Sequence, residues 1–522
     1  MTPRGAVAPP PEARVNPLRE ESVTLKAADP CTIIVFGASG DLTHRKLIPA
    51  LFRLSKQKLL HPRTAIVGFA RRDFTSEAFR DEMRKAVEDS AAPSADWERF
   101  AETLFYVPGV FEDHAAFRAL GQTLSEVEEK RGLPGNRIFY FATPPAAYAP
   151  LITNIGATGL ARRAIREERG VPWARVIIEK PFGHDLESAR QLNALVHTVF
   201  AESQVFRIDH YLGKETVQNI LVFRLGNGIF EPLWNNRYVE QVQITVAESV
   251  GIEGRAAYFE GSGIARDIFQ NHMMQLLTLI AMEPPARFEA DSVRDEKAKV
   301  LRTLHPLTPE EVARDTVRAQ YAAGAVGGAP EVGYRQEPDV SPASQVETFM
   351  AARVHVDNWR WSGVPFYLRT GKRLCRRATE IAIVFRQPPF SLFRSAGCEN
   401  LEANVLRLRI QPDEGISLSF GSKSPGQELH IDPVQMDFFY LTSFGQDPPE
   451  AYERLLLDCN LGDSTLFARR DEVELAWEFV DPIQAAWRSK TGPPLASYPA
   501  GTWGPKEADD LLHRHGSSWY RL

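Results

Sequence analysis

Positions 32–36 read Thr-Ile-Ile-Val-Phe, an unbroken β-branched and apolar run that stops at Gly37. Such a run marks a strand buried on both faces of a parallel sheet. Leu47, Leu51 and Leu54 follow on one helical face, which predicts a helix over 42–59. A second buried strand is expected at 64–69, a helix at 76–91, and further strands at 137–141 and 175–178 with helical segments between. Strand and helix thus alternate from Cys31 to about Val205, the rhythm of a doubly wound, Rossmann-type α/β domain.

After Tyr211 the rhythm changes. Across 239–247, Val, Val, Ile and Val alternate with Glu, Gln, Gln and Thr. Segments 354–356, 380–386, 405–411 and 416–420 also read as strands, half-buried and antiparallel. A long helix is expected over 263–281, and 322–345, rich in Gly, Ala, Pro and Ser, reads as a long loop. The predicted architecture is α/β plus α+β. A disordered tail occupies 1–30, a Rossmann-type domain 31–207, and a domain on one large, mostly antiparallel sheet 208–522.

A chain of 522 residues suits two or more domains with a sizeable core. Its net charge of −6, with both signs interspersed, lacks the basic footprint of a nucleic-acid binder but leaves room for a local anion pocket. Cys31, Cys375, Cys398 and Cys459 are scattered and form no Cys-x-x-Cys pair, so neither a disulfide framework nor a structural zinc is expected, and a reducing cytoplasm is. The first thirty residues lack the apolar core of a secretory signal. The apolar stretch 273–282, broken by Gln275 and Thr278, is too short to span a bilayer.

Six motifs carry candidate chemistry. Gly37-Ala38-Ser39-Gly40-Asp41-Leu42 joins the first strand to the first helix, where backbone N–H groups can approach a pyrophosphate; a plain capped turn has the same composition. Arg71 and Arg72 end the second strand, where NAD-specific sites carry an acid, and so suggest the 2′-phosphate of NADP. Glu179-Lys180-Pro181 puts a lysine at the carboxyl end of a buried strand, where ligands bind, although a strand closed by proline reads the same way. Asp267, Gln270, Asn271 and His272 crowd the first turns of an otherwise apolar helix, more polarity than a packed histidine requires. Arg369-Thr370-Gly371-Lys372 could present an amine to an anion or form a basic hairpin. Most distinctive is Arg207-Ile208-Asp209-His210-Tyr211-Leu212-Gly213-Lys214-Glu215, with a histidine and a lysine suited to a phosphate beside a carboxylate suited to orienting a second histidine.

Taken in chain order, the Gly37–Leu42 loop, Glu179-Lys180-Pro181, the 207–215 run, the Asp267–His272 cluster and Arg369-Thr370-Gly371-Lys372, with the closing Tyr-Pro-Ala-Gly-Thr-Trp-Gly-Pro at 498–505, resemble the glucose-6-phosphate dehydrogenase family from about residue 31 to the end of the chain. The resemblance implies oxidation of glucose 6-phosphate at C1 with NADP as acceptor and no metal. It implies His272 as general base, Asp209 as its orienting carboxylate, and His210, Tyr211 and Lys214 as phosphate contacts. It further implies Lys180, Glu248, Asp267, Lys372 and Gln411 as sugar contacts, with Lys180 also near the nicotinamide. NADP would be held by Gly37 to Leu42 and Arg71. A dimer or tetramer formed through the large sheet is implied as well. Ala378 stands where animal members carry a basic residue for a second, structural NADP, so none is expected, although Arg369, Arg377 and Arg409 lie nearby in the sequence. Two alternatives are another NAD(P)-dependent sugar oxidoreductase and a non-catalytic nucleotide-binding homologue.

Overall fold

The computed structural model describes residues 27–521 apart from 88–94, 169, 394–400, 428, 446–448 and 490–491. Six parallel strands form the first sheet: β1 (Thr32–Phe36), β2 (Ala65–Ala70), β3 (Leu104–Pro108), β4 (Arg137–Phe141), β5 (Ala174–Ile178) and β6 (Val205–Arg207). Their order is β3-β2-β1-β4-β5-β6. The chain therefore reverses direction across the sheet between β1 and β4, which opens a crevice at their carboxyl ends. Alternate side chains of each strand feed two cores. Ile33, Val35 and Ile138 pack toward the helix Ile48–Lys56. Ile34, Phe36 and Phe139 pack toward the helices His114–Arg131 and Tyr148–Ala157. Burial on both faces is why β1 is apolar throughout.

The second sheet has nine strands: β7 (Val239–Ala247), β8 (Thr316–Ala322), β11 (Phe349–His355), β12 (Pro365–Gly371), β13 (Ala378–Phe385), β14 (Val405–Gln411), β15 (Gly415–Lys423), β16 (Ile431–Phe439) and β17 (Leu495–Pro499). Their order is β16-β15-β14-β13-β7-β12-β11-β8-β17, antiparallel except for the β7–β12 and β8–β17 pairs. The fold class is thus the expected one, but several details differ.

β7 is neither half-buried nor wholly antiparallel: only Glu240 is exposed. A bulge pairs Val384 with Gln241 and Phe385 with Val239, which leaves Glu240 unpaired. The polar face is covered by the chain's own end, where Gln241 Nε2 donates to Ser517 Oγ (3.1 Å) and Gln243 Nε2 to the Ser518 carbonyl (2.9 Å). Alternation along a strand reveals two faces but not what covers the polar one.

The segment 322–345 is not a structureless loop but contains the hairpin β9 (Gly324–Val326) and β10 (Ala329–Glu331), turned by Gly327 and Gly328 at positive φ. The helix expected at 42–59 starts with wide π-helical turns over Thr43–Leu47 and ends at Lys56. That at 76–91 closes at Lys85; positions 88–91 lie outside the described residues. Of the tail, 1–26 also lie outside, whereas Ala28 and Asp29 are fastened, their N–H groups donating to the Leu59 carbonyl and Asn460 Oδ1 (both 2.8 Å).

The helix Ala451–Leu461 comes late in the chain yet packs Leu455, Leu456 and Leu457 into a core of the first sheet. Arg175 of β5 caps its C-terminal carbonyls, with Nη1 2.7 Å from the Cys459 oxygen. Among the described residues no helix is long and apolar enough to cross a membrane, and Cys31, Cys375 and Cys459 are free thiols; Cys398 lies outside the described residues.

Candidate active site

The helix expected at 263–281 is interrupted at its first residue. Gly263 has φ +64°, and a Cβ there would lie 2.4 Å from Glu347 Oε1. Glu347 then accepts from the Ala265 N–H at 3.2 Å, starting a new helix. Its first nine residues, Ala265–Met273, wind as a π-helix. In an α-helix, residues five apart differ by about 140° around the axis. In π winding, with hydrogen bonds from i to i+5, they come close to one face. Asp267 and His272 therefore look toward the same cleft, an arrangement that α-helical spacing does not predict.

His272 and Asp209 are both buried, and Nδ1 of the imidazole lies 2.5 Å from Asp209 Oδ1. Asp209 follows β6, and its Oδ1 also accepts from the Tyr211 N–H at 3.0 Å. The Tyr211 ring stacks on the imidazole at 4.3 Å and the His210 ring meets it edge-on at 4.6 Å. His272 Nε2 is buried without a hydrogen-bond partner. Burial, with Lys180 nearby, holds the imidazole below its usual pKa against the pull of Asp209, so it is neutral and proton-accepting. Burial would raise Asp209, but His272 outweighs it and the carboxyl is held at about 2.

The remaining predicted polar residues extend in two directions from this pair. On one side, Lys180 Nζ donates to the Asp267 carbonyl (2.8 Å) and Oδ1 (3.0 Å). Lys372 Nζ lies 2.6 Å from Glu248 Oε2 and 3.5 Å from Asp267 Oδ2. Burial opposes charge on both Lys180 and Asp267, yet their pairing prevails and both stay ionised: the ammonium is raised and the carboxyl held well below its usual range. On the other side, Lys214 Nζ donates to Gln411 Oε1 and sits 4.3 Å above the Tyr211 ring. Burial, with Arg377 beside it, lowers Lys214 to about 8.

Each side chain is held from behind. The Lys180–Pro181 and Gln411–Pro412 bonds are cis. Glu179 accepts from Tyr140 Oη at 2.5 Å, its carbonyl accepts from Tyr148 Oη at 3.0 Å, and burial raises its carboxyl to about 7. Trp477 Nε1 donates to the Phe182 carbonyl at 3.0 Å. Gly213 must be glycine, because a Cβ would lie 2.7 Å from the Ala451 carbonyl oxygen.

The sequence reading missed Arg377 as a member of this cluster, having linked it to a second nucleotide. Its Nη2 donates to Gln411 Oε1 at 2.9 Å. Tyr258, whose hydroxyl donates to Asp267 Oδ1 at 3.2 Å, was missed too. The basic run 372–377 was a signal for the first; nothing local marks the second. Ligand atoms of Asp209, His210 and His272 also lie within 4.8 Å of one another, close enough to hold a metal ion.

The residues expected to hold the nucleotide lie at the mouth of the crevice. Gly37 has φ +85°, and a Cβ there would sit 2.3 Å from the Ala142 oxygen. The Gly40 N–H closes the turn onto the Gly37 carbonyl at 2.9 Å. Ala38 is buried against Gly68 of β2, while Ser39 and Asp41 face outward and Leu42 packs against the first core. Arg71 and Arg72 are exposed just beyond β2. Thr143, beside Gly37, keeps a buried Oγ1 without a partner. A glycine-pinched turn at the strand switch, an orphaned hydroxyl and two exposed guanidinium-bearing side chains fit a phosphorylated dinucleotide.

Comparison with known proteins agrees in one direction. The family model "Glucose-6-phosphate dehydrogenase, NAD binding domain" matches residues 34–219, and its C-terminal counterpart matches 221–520. "Glucose-6-phosphate 1-dehydrogenase 2" of Mycobacterium tuberculosis is 47% identical over 511 residues, covering 97% of this chain and 98% of that one. The Bacillus subtilis glucose-6-phosphate 1-dehydrogenase is 42% identical, covering 94% and 98%. A solved glucose-6-phosphate dehydrogenase in complex with glucose 6-phosphate superposes with a TM-score of 0.85 at 34% identity, covering 96% of this chain and all of that one.

Proposed function

The chain belongs to the glucose-6-phosphate dehydrogenase family, and we propose that the cleft between its two sheets oxidises glucose 6-phosphate at C1 to 6-phosphogluconolactone. The observation that carries the mechanism is the buried Asp209–His272 pair with its free Nε2. NADP, when bound, supplies the hydride acceptor. His272 Nε2 takes the C1 hydroxyl proton as that hydride leaves. Asp209 keeps the proton on Nδ1, so that Nε2 presents its lone pair, and stabilises the imidazolium that forms. Lys180, Asp267, Lys372 and Glu248 hold the sugar hydroxyls. His210, Tyr211 and Lys214 hold the phosphate, so that binding of the remote group positions C1. Gln411, expected as a sugar contact, accepts from Lys214 and Arg377, and on that ground we assign it and Arg377 to the phosphate instead. Gly37 to Leu42 receive the pyrophosphate and Arg71 the 2′-phosphate.

We infer that the nucleotide unit is 31–207 with the helix Ala451–Leu461 added, since that helix completes its core. The chain works as a homodimer through β16, the sheet's edge. Val434 and Met436 on it, and Leu441 and Phe444 just beyond it, are exposed. The free thiols support a cytoplasmic enzyme. The test is NADP reduction, followed by absorbance, with glucose 6-phosphate and with glucose in parallel. Fast reduction with the phosphorylated sugar alone is expected. No reduction by folded protein would favour a non-catalytic homologue, and equal rates with glucose another sugar oxidoreductase.

A further inference from the structure

The residue after Lys372 is held in an unusual way. Arg373 has φ +51°, the left-handed region that side chains other than glycine rarely adopt. Its guanidinium is gripped by two acids from the segment that sequence composition presents as a loop. Nη1 lies 2.6 Å from Glu331 Oε1 on β10, and Nη2 lies 3.7 Å from Glu337 Oε1. Glu337 Oε1 is itself held by Tyr321 Oη at 2.9 Å. Gly251 leaves room for this clamp, because a Cβ there would fall 2.8 Å from Arg373 Nε.

The backbone around Arg373 joins the two residues at the sugar end of the cleft. The Arg373 N–H donates to the Val250 carbonyl (3.1 Å) and the Leu374 N–H to the Glu248 carbonyl (2.9 Å). The Glu248 N–H donates to the Gly371 carbonyl (3.0 Å), and the Lys372 carbonyl accepts from Tyr498 Oη at 2.6 Å. A turn in a disfavoured conformation persists only where its surroundings over-determine it. Here that turn sets where the Lys372 amine meets Glu248 and Asp267.

We propose that Arg373 is a positioning residue for the sugar end of the site, clamped by Glu331 of the β9–β10 hairpin and by Glu337 beyond it. The clamp fixes the Lys372–Glu248 pair and thereby affinity for the sugar, while leaving the nucleotide end untouched. This rests on the reading of Lys372 and Glu248 as sugar contacts.

Arg373→Gly removes the guanidinium but suits the positive φ, so it tests the clamp without adding backbone strain. We expect it to raise KM for glucose 6-phosphate about 10-fold while KM for NADP stays within about two-fold, the scale on which displaced positioning groups act. Glu331→Gln should move the same constant in the same direction by less, and Arg373→Lys should recover most of it. The double variant Arg373→Gly/Glu331→Gln should be no worse than Arg373→Gly alone, because both break one contact. Should Arg373→Gly not fold, Glu331→Gln and Arg373→Lys carry the test. An unchanged KM for glucose 6-phosphate in folded variants overturns the proposal, as does a parallel rise in both KM values, which marks general loosening. The wild-type rate separates the two claims: an inert wild type overturns the functional reading and this one with it, whereas an active wild type with an unmoved Arg373→Gly overturns the positioning role alone.

Discussion

Replacing Asp209 with Asn tests the heart of the site. The substitution keeps the shape and an oxygen that can accept from His272 Nδ1 at the present 2.5 Å, but it removes the charge. In the resting enzyme His272 is neutral, so the ground state loses little. When the imidazole takes the substrate proton it becomes a cation in a buried setting, with both residues nearly inaccessible to solvent. With charge centres about 4 Å apart and an effective dielectric constant of about 20, the lost attraction is about 4 kcal/mol. If that falls wholly on the transition state, kcat drops about 10³-fold. KM for glucose 6-phosphate should move little, because the phosphate and sugar contacts remain. The pH profile gives a second reading. Turnover needs neutral His272, so the rate falls as pH drops through its pKa. Asp209 raises that pKa against burial, so its removal should shift the acid limb to lower pH. Steady-state kinetics across pH 5–8 measure both. A kcat within about 10-fold of wild type, too small for the worked 4 kcal/mol, or an acid limb displaced to higher pH, would refute the reasoning.

Three further outcomes follow from the structure. Lys214, lowered to about 8, is charged below that pH and loses its proton above it, so KM for glucose 6-phosphate in the wild type should rise as pH passes through about 8. Lys214→Arg, which stays charged, should flatten that rise, and an identical profile in the variant would remove Lys214 from phosphate binding. Gly213→Ala places a Cβ 2.7 Å from the Ala451 oxygen and 3.0 Å from Leu455 Cδ1, a clash that should cost about 1–3 kcal/mol and lower the melting temperature; equal melting curves would contradict the packing. In sedimentation at micromolar concentration, the wild type should run as a dimer and Met436→Asp as a monomer, and an undisturbed dimer in the variant would move the interface away from β16.

What was legible in the sequence divides along physical lines. Strands β1, β4 and β14 end where the sequence pattern puts them, because apolar runs, continuous in β1 and β4 and alternating in β14, carry their own limits where Gly37, Asn136 and Pro412 break them. The acid, imidazole and ammonium clusters were legible as motifs, since they sit on a few short segments. Properties made by distant chain were not. The polar face of β7 is buried by residues 517–520, over 270 positions away, as in the Gln243–Ser518 contact. The helix Ala451–Leu461 joins the first core from the far end of the sequence. The π-helical turns that bring Asp267 and His272 to one face leave no periodicity that distinguishes them from an α-helix. Composition also misjudged 322–345, because Gly and Ala suit a tight hairpin as well as a loop, and only tertiary pairing with Arg373 shows why Glu331 and Glu337 stand there.

The most direct test of His272 as the base is His272→Asn, assayed for turnover and, separately, for glucose 6-phosphate binding by calorimetry. The account predicts binding close to wild type with kcat reduced about 10²–10⁴-fold. Turnover near the wild-type rate would contradict it and return the proton to some other group in the cleft.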